Sequence, residues 1–150
     1  DAHMGWEFAR FGKRGFSSYV KVFFREYPRY KAREYQLEID GATFSKKALL
    51  ISVANGSQYG NNAFIAPKAD VKDGLLDICI LSAFPWYVAP FLACRLFRRS
   101  LDKSRYLEIL RGKDIRIAQP DKTAHIDGEP LEEGRDLHFK IVPSSLNVIC

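Results

Sequence analysis

Asp127 and Glu129 flank a glycine in the string Asp127-Gly128-Glu129-Pro130, at the end of a strand-like alternation of apolar residues. Side chains at i and i+2 of a strand share a face, so the pair can divide labour. One carboxylate would orient a metal or phosphates while the other accepts a proton from a substrate hydroxyl. The same residues read equally as a turn stiffened by proline. A second acidic group, Asp70, Asp73 and Asp77, recurs at spacings of three and four around Gly74. Carboxylates joined by a backbone carbonyl at a tight turn suit Mg²⁺ or Ca²⁺, hard cations that take oxygen ligands. An ordinary Asp-Gly turn with solvated acids is the alternative.

The loop Asn55-Gly56-Ser57-Gln58-Tyr59-Gly60-Asn61-Asn62 follows an apolar run. Gly and Asn tolerate left-handed backbone, and the bare amides around Asn55, Gly56 and Gly60 can approach a phosphate or a polar head group. Long loops inside compact domains are commonly functional, although a plain surface connection has the same composition. Further on, Trp86, Tyr87, Phe91, Leu92 and Phe97 run into Arg95, Arg98, Arg99, Lys103 and Arg105. Such a segment can sit on a membrane with its cations facing anionic lipid, or pack its aromatics inward and leave the arginines in water.

Other chemistries have no residues to support them. There is no Gly-rich string before Lys-Ser or Lys-Thr to form a P-loop, and no Gly-x-Gly-x-x-Gly. His3, His125 and His138 are isolated along the chain. Cys79, Cys94 and Cys150 are too few and too widely spaced for a disulfide framework or a zinc site, and fit a reducing compartment. The net charge of +5, from 23 basic and 18 acidic residues, suits an anionic partner. Nucleic acid fits poorly, because basic and aromatic residues do not interleave along the strands as a single-strand platform requires.

The elements that must position these groups follow from periodicity. Phe16, Tyr19, Val20, Phe23, Phe24 and Tyr27 lie on one helical face, and a shorter helix is expected over 3–11. After Tyr30 the period changes to two: Tyr35, Leu37 and Ile39 alternate with polar residues up to the hairpin signal Asp40-Gly41. The apolar run Ala48 to Ala54 suits a central strand buried on both faces. A polar loop is expected over 55–74, then an alternating strand at Leu76, Ile78 and Ile80. Trp86 to Phe97 reads as a helix with Pro90 early enough to be tolerated. Short strands are expected near 105–110, 114–118, 123–127, 136–142 and 145–150. With 47% hydrophobic residues in a chain of 150, this predicts a mainly β fold, an antiparallel β-sandwich with peripheral helices, as one domain over 1–150. No stretch is long and uncharged enough to span a bilayer. The start at Asp1 and the stop at Cys150 within an apolar alternation suggest a piece of a longer protein.

Taken together, Asn55-Gly56, Tyr59-Gly60, Ile65-Ala66-Pro67, Ala69-Asp70 and Asp73-Gly74-Leu75-Leu76-Asp77, followed by Asp127-Gly128-Glu129-Pro130-Leu131, resemble the C-terminal half of the bacterial diacylglycerol kinase and sphingosine kinase family. The resemblance implies a two-domain lipid kinase. An N-terminal α/β domain, absent from this chain, would bind ATP, and this chain would be the C-terminal β-sandwich. The family transfers the γ-phosphoryl group of ATP to a lipid hydroxyl with Mg²⁺. By position, Glu129 matches the proton acceptor and Asp127 its acidic companion. Asp73 matches a ligand of a second Mg²⁺, with Asp70 and the backbone carbonyl of Leu75 as further oxygens. Many members carry a run of glycines after the tyrosine; here Gly60 is followed by Asn61-Asn62-Ala63, so this loop is expected to take its own course.

The expected partners are a lipid substrate at a membrane surface and ATP bound through the missing half, with homodimerisation left open. The expected location is cytoplasmic, peripheral at the membrane. Two other functions are weighed against the kinase: a non-catalytic lipid-binding or regulatory module, and an enzyme like the related NAD kinases with a soluble acceptor.

Overall fold

Alternation of Tyr35, Leu37 and Ile39 with Glu34, Gln36 and Glu38 builds β1 (Arg33–Ile39), whose apolar side turns inward until Leu37 and Ile39 are buried. Asp40 and Gly41 both take positive φ, 50° and 85°, which a two-residue hairpin with the native strand twist requires. The chain returns as β2 (Ala42–Ala48), paired antiparallel with β1 from Ile39↔Ala42 to Arg33↔Ala48. The computed structural model describes residues 31–60, 62–120, 124–127, 129–131, 135–143 and 145. The helices expected over 3–11 and 16–27, and all but Ser145 of the strand expected over 145–150, lie outside the described residues.

The remaining strands are β3 (Leu50–Ala54), β4 (Leu76–Leu81), β5 (Leu107–Gly112), β6 (Asp114–Ala118), β7 (Ala124–Ile126), β8 (Glu129–Leu131) and β9 (Asp136–Lys140). They form a four-stranded sheet in the order β2-β1-β6-β9, a three-stranded sheet β3-β4-β5 and the ribbon β7-β8, antiparallel throughout. Among the described residues one α-helix, α1 (Ala89–Phe97), follows a 3₁₀ turn at Trp86–Val88, and a second 3₁₀ turn spans Leu101–Lys103. This is the expected antiparallel sandwich with peripheral helix.

Two apolar layers hold it together. Leu37, Ile39, Ala48, Ile115 and Ile117 of the first sheet meet Ile78 and Ile80 of the second, forming the sandwich interior. On the other face of the second sheet, Cys79 and Leu107 pack with Ile65 and Ala66 of the long loop and with Ala89, Leu92 and Leu101 of the helical segment. β4 therefore is the strand buried on both sides, with Asp77, Ile78, Cys79 and Ile80 all inaccessible.

This corrects the reading of 48–54 as one doubly buried central strand. The run is broken at Leu49: Ala48 ends β2 in the first sheet and Leu50 starts β3 in the second. β3 lies at one side of its sheet, and each of its residues is only half-buried. Cys79 behaves as the expected small apolar residue, its Sγ 3.6 Å from the Ile65 carbonyl, whereas Cys94 is exposed.

The return from the second sheet to the first is tight. A β-carbon at Gly112 would overlap Ile39 Cγ2 and lie 3.1 Å from Asp40 Oδ2. Asp40 Oδ1 accepts hydrogen bonds from the Lys113 and Asp114 amides at 3.0 and 2.9 Å. These two bonds, the one from Asp114 foremost, hold the Asp40 carboxyl below its usual pKa.

Candidate active site

The loop between β3 and β4 is not simply polar. Phe64, Ile65 and Ala66 are buried at its centre, and Ile65 and Ala66 plug the layer beneath α1. The Phe64 amide donates to the Leu96 carbonyl at 3.0 Å, satisfying an acceptor at the open end of the helix. Arg99 lies over the Phe64 ring, 4.0 Å from its centroid. Before this anchor the chain makes a small excursion, Tyr59 to Ala63, closed by Tyr59 N–Ala63 O and Ala63 N–Gly60 O bonds of 2.7 and 2.8 Å. Gly60 has φ 133° and Asn62 φ 60°, the left-handed conformations expected of a Gly- and Asn-rich loop. Gly56 has a β-carbon position 3.8 Å from Val71 Cγ1, so the start of the loop lies against its end.

That end is the acidic turn. Asp70 Oδ1 accepts from the Lys72 amide and Asp73 Oδ1 from the Leu75 amide, each at 2.9 Å. Both are local turns of the kind aspartate favours. Asp77, the third acid of the group, points elsewhere. It is 2% exposed and hydrogen-bonded to Arg111 Nε at 3.1 Å across the β4–β5 ladder, where the two residues are direct partners. Arg111 also donates to the Lys68 carbonyl at 3.0 Å and comes within 3.7 Å of Asp73 Oδ2. One guanidinium thus ties the acidic turn to the sheet. Lys68 in turn pairs with Asp102 at 2.8 Å, linking the loop to the segment after α1.

Asp127 and Glu129 do not share the face of one strand, as the i, i+2 spacing suggested. They flank a tight hairpin: Ile126 pairs with Glu129, and Asp127 stands in the turn with φ 49°. Both residues are exposed. Asp-Gly supplies the positive φ that such a turn needs, so the turn reading describes the local backbone. Among the described residues no hydrogen bond or ion pair joins Asp127 or Glu129 to Asp70 or Asp73.

The ribbon is nevertheless attached to the loop. Tyr59 Oη and His125 Nε2 hydrogen-bond at 3.1 Å, with the two rings edge-on. Tyr59 precedes Gly60 and His125 is two residues from Asp127, so this contact joins the two motif blocks. His125 is isolated only along the sequence; His138 likewise pairs with Asp114 at 2.8 Å. The structure therefore sets Gly56 against Val71, within the acidic segment 70–75, and joins Tyr59, next to Gly60, to His125 on the ribbon that carries Asp127 and Glu129. Arg111 and the Tyr59–His125 pair were not singled out by the sequence. A lone basic residue near the end of an apolar strand is the only trace Arg111 leaves there.

A hard cation at the acidic turn would need the oxygens of Asp70 and Asp73 that do not accept from a backbone amide. Each of Asp70 and Asp73 uses one oxygen on a backbone amide. The second oxygen of Asp73 lies 3.7 Å from the Arg111 guanidinium, an ion pair longer than a hydrogen bond, so a cation here would share that oxygen with Arg111. Among the described residues no three His, Cys, Asp or Glu side chains converge on one point. A cation here would rest on two carboxylates, backbone carbonyls and water.

Residues 8–150 match the model of a known family, the YegS C-terminal NAD kinase beta sandwich-like domain. The chain belongs to this family. Relatives of the YegS-type domain include proteins named "Probable lipid kinase YegS-like" from Yersinia pestis (strain Pestoides F) and from Yersinia pseudotuberculosis serotype O:1b (strain IP 31758). Each is 33% identical over 111 residues, which is 73% of this chain and 36% of the relative. The chain thus spans about a third of the length of these relatives. Among solved structures, one from Bacillus anthracis str. Sterne described as "A putative diacylglycerol kinase" superposes with a TM-score of 0.61 at 16% identity, over 91% of this chain and 46% of that one. A second, from the same source and with a like description, gives 0.52 at 18% identity, over 82% and 39%. These likenesses establish the YegS-type fold. Among the described residues no helix of the domain is long and apolar enough to cross a membrane.

Proposed function

We propose that this YegS-type domain is the acceptor-side half of an ATP-dependent lipid kinase, which transfers the γ-phosphoryl group to a lipid hydroxyl. The observation that carries the proposal is the exposed Glu129 carboxylate at the first position of β8, on a ribbon braced to the Asn55–Asn62 loop through Tyr59 and His125. The relatives' names supply the reaction class.

In this reading Glu129 accepts the proton of the lipid hydroxyl as it attacks phosphorus. General-base help of this kind contributes about 10²–10⁴-fold. Asp127, across the turn, presents a second charge toward the phosphates and their Mg²⁺. When bound, Mg²⁺ neutralises developing negative charge on the transferred group. Asn55, Gly56 and Gly60 line the loop that meets the nucleotide or head group. Asp70, Asp73 and the Leu75 carbonyl hold a second cation that fixes this loop, with Arg111 bracing the turn from the sheet side. ATP is bound by a partner domain outside these residues, so the 150-residue chain alone is expected to phosphorylate nothing.

The test supplies the full-length polypeptide with labelled ATP, Mg²⁺ and a panel of lipids in micelles, comparing wild type with Glu129→Gln. One labelled lipid and a loss of at least ~10²-fold in the variant are expected. Full activity in the variant refutes the role of Glu129. A soluble nucleotide labelled in place of any lipid would select the NAD kinase-like reading.

A further inference from the structure

We infer that the outer side of α1 and the turn before it form a docking surface for an anionic lipid bilayer, with Trp86, Tyr87 and Phe91 exposed and three cations lining a pocket beside Phe91. Ala89 and Leu92 are the buried face of this helix. Its other face carries Phe91, Cys94 and Arg95, continued by Tyr87 in the turn before the helix and Arg98 at its C-cap, all exposed. Trp86, Tyr87 and Phe91 are 63, 60 and 69% accessible. A water-facing surface of a helix normally carries mixed charges; here Phe91 stands where a polar residue belongs, and Trp86 and Tyr87 are exposed in the turn that leads into the helix.

Charge complementarity names the occupant. Between Asp77 and Asp102 the chain has no acidic residue, and three arginines. Phe91, Cys94, Arg95, Arg98, Ser100 and Lys103 line a cavity of about 410 Å³. It holds three cations and no carboxylate. The nearby Asp102 is already engaged by Lys68 at 2.8 Å. Among the described residues none forms an ion pair with Arg95, Arg98 or Lys103. A phosphate of an anionic head group meets that pocket while the aromatic rings enter the boundary between head groups and acyl chains, the level that Trp and Tyr favour. At nine residues α1 is too short to span a bilayer, so it lies in the interface. The link to phosphoryl transfer rests on the reading above, since docking would present the lipid hydroxyl; docking itself needs no ATP.

The experiment is pelleting of the full-length protein with vesicles of phosphatidylcholine alone, or with one quarter phosphatidylglycerol, without ATP. Binding to the anionic vesicles that weakens with salt is expected. Arg95→Gln with Arg98→Gln should weaken it roughly 30-fold, two surface cations' worth, and Trp86→Ala with Phe91→Ala should abolish it. Glu129→Gln should pellet as wild type does, which keeps this test apart from the kinase assay. If no lipid is phosphorylated yet pelleting follows these changes, docking stands and the kinase reading falls. Equal binding to neutral and anionic vesicles, no binding to either, or wild-type binding by both double variants overturns the inference. So does binding of inorganic phosphate or RNA by the same residues without vesicle binding.

Discussion

Replacing Arg111 by methionine keeps an unbranched apolar stem but removes the only ion-pair partner that Asp77 has among the described residues. Asp77 is 2% exposed, and its Oδ1 receives Arg111 Nε at 3.1 Å. Breaking a buried pair by deleting one member costs about 3–5 kcal/mol, because the other charge stays buried. The Arg111 side chain is itself 42% exposed, so water reaches part of the vacated space and the lower end applies. The hydrogen bond to the Lys68 carbonyl is lost as well, adding about 1 kcal/mol. A loss of about 3–4 kcal/mol, or about 6–15 °C in Tm for a chain of this size, is expected. Urea unfolding at pH 7 measures it. Adding Asp77→Asn removes the stranded charge, so the double variant should be more stable than the sum of the single losses by about 1–3 kcal/mol. A single-variant loss below about 1 kcal/mol, or strict additivity, would refute the assignment of Arg111 as the pin of the acidic turn.

Three further outcomes follow from the same geometry. Burial, aided by the Asp77 charge, pushes the Cys79 thiol up to about 12, while Cys94 is exposed. At pH 8 iodoacetamide should therefore modify Cys94 quickly and Cys79 only in denaturant; peptide mass mapping showing equal rates would contradict the packing. The Asp40 pKa is depressed by the Asp114 and Lys113 amides, so its contribution to stability is complete above the unfolded-state value of about 3.9 and disappears as pH falls through the lower folded value. The Tm gap between wild type and Asp40→Asn should accordingly close on acidification below about pH 4, and a gap that persists or widens there would show that the carboxylate plays no such part. Gly112→Ala forces a methyl group into Ile39 at the crossing between the sheets and should destabilise by about 1–3 kcal/mol, read from the urea midpoint; a neutral substitution would mean that the crossing is looser than described.

Local patterns made much of this fold legible. Period-two alternation marks β1, Asp40-Gly41 marks its hairpin, and the apolar aromatic run after Pro85 marks α1. What escaped were features set by partners distant in sequence. The apolar run 48–54 looks continuous, yet the chain changes sheets at Leu49, and hydrophobicity alone does not register a change of partner. β4 looked half-buried because Asp77 interrupts its second face; only the Arg111 pairing, 34 residues away, lets a carboxylate sit there. In the same way Ile65 and Ala66, within a largely polar loop, gained their place in the core from Ala89 and Leu92 of α1. Asp127-Gly128 is the same dipeptide as Asp40-Gly41, and of the two readings open for it the turn is the one that describes the backbone.

The long loop and α1 have a joint fate because neither has a core of its own. Ile65 and Ala66 are buried against Ala89 and Leu92, Phe64 closes the helix end, and Lys68 reaches Asp102. Pulling either away exposes the apolar face of the other, so they open as one cooperative unit rather than in two separate events. Linkage then runs in both directions: any ligand that binds either part only in its closed state suppresses opening of both, by an amount set by that ligand's own concentration and affinity. The two surfaces are thermodynamically a single element with two handles.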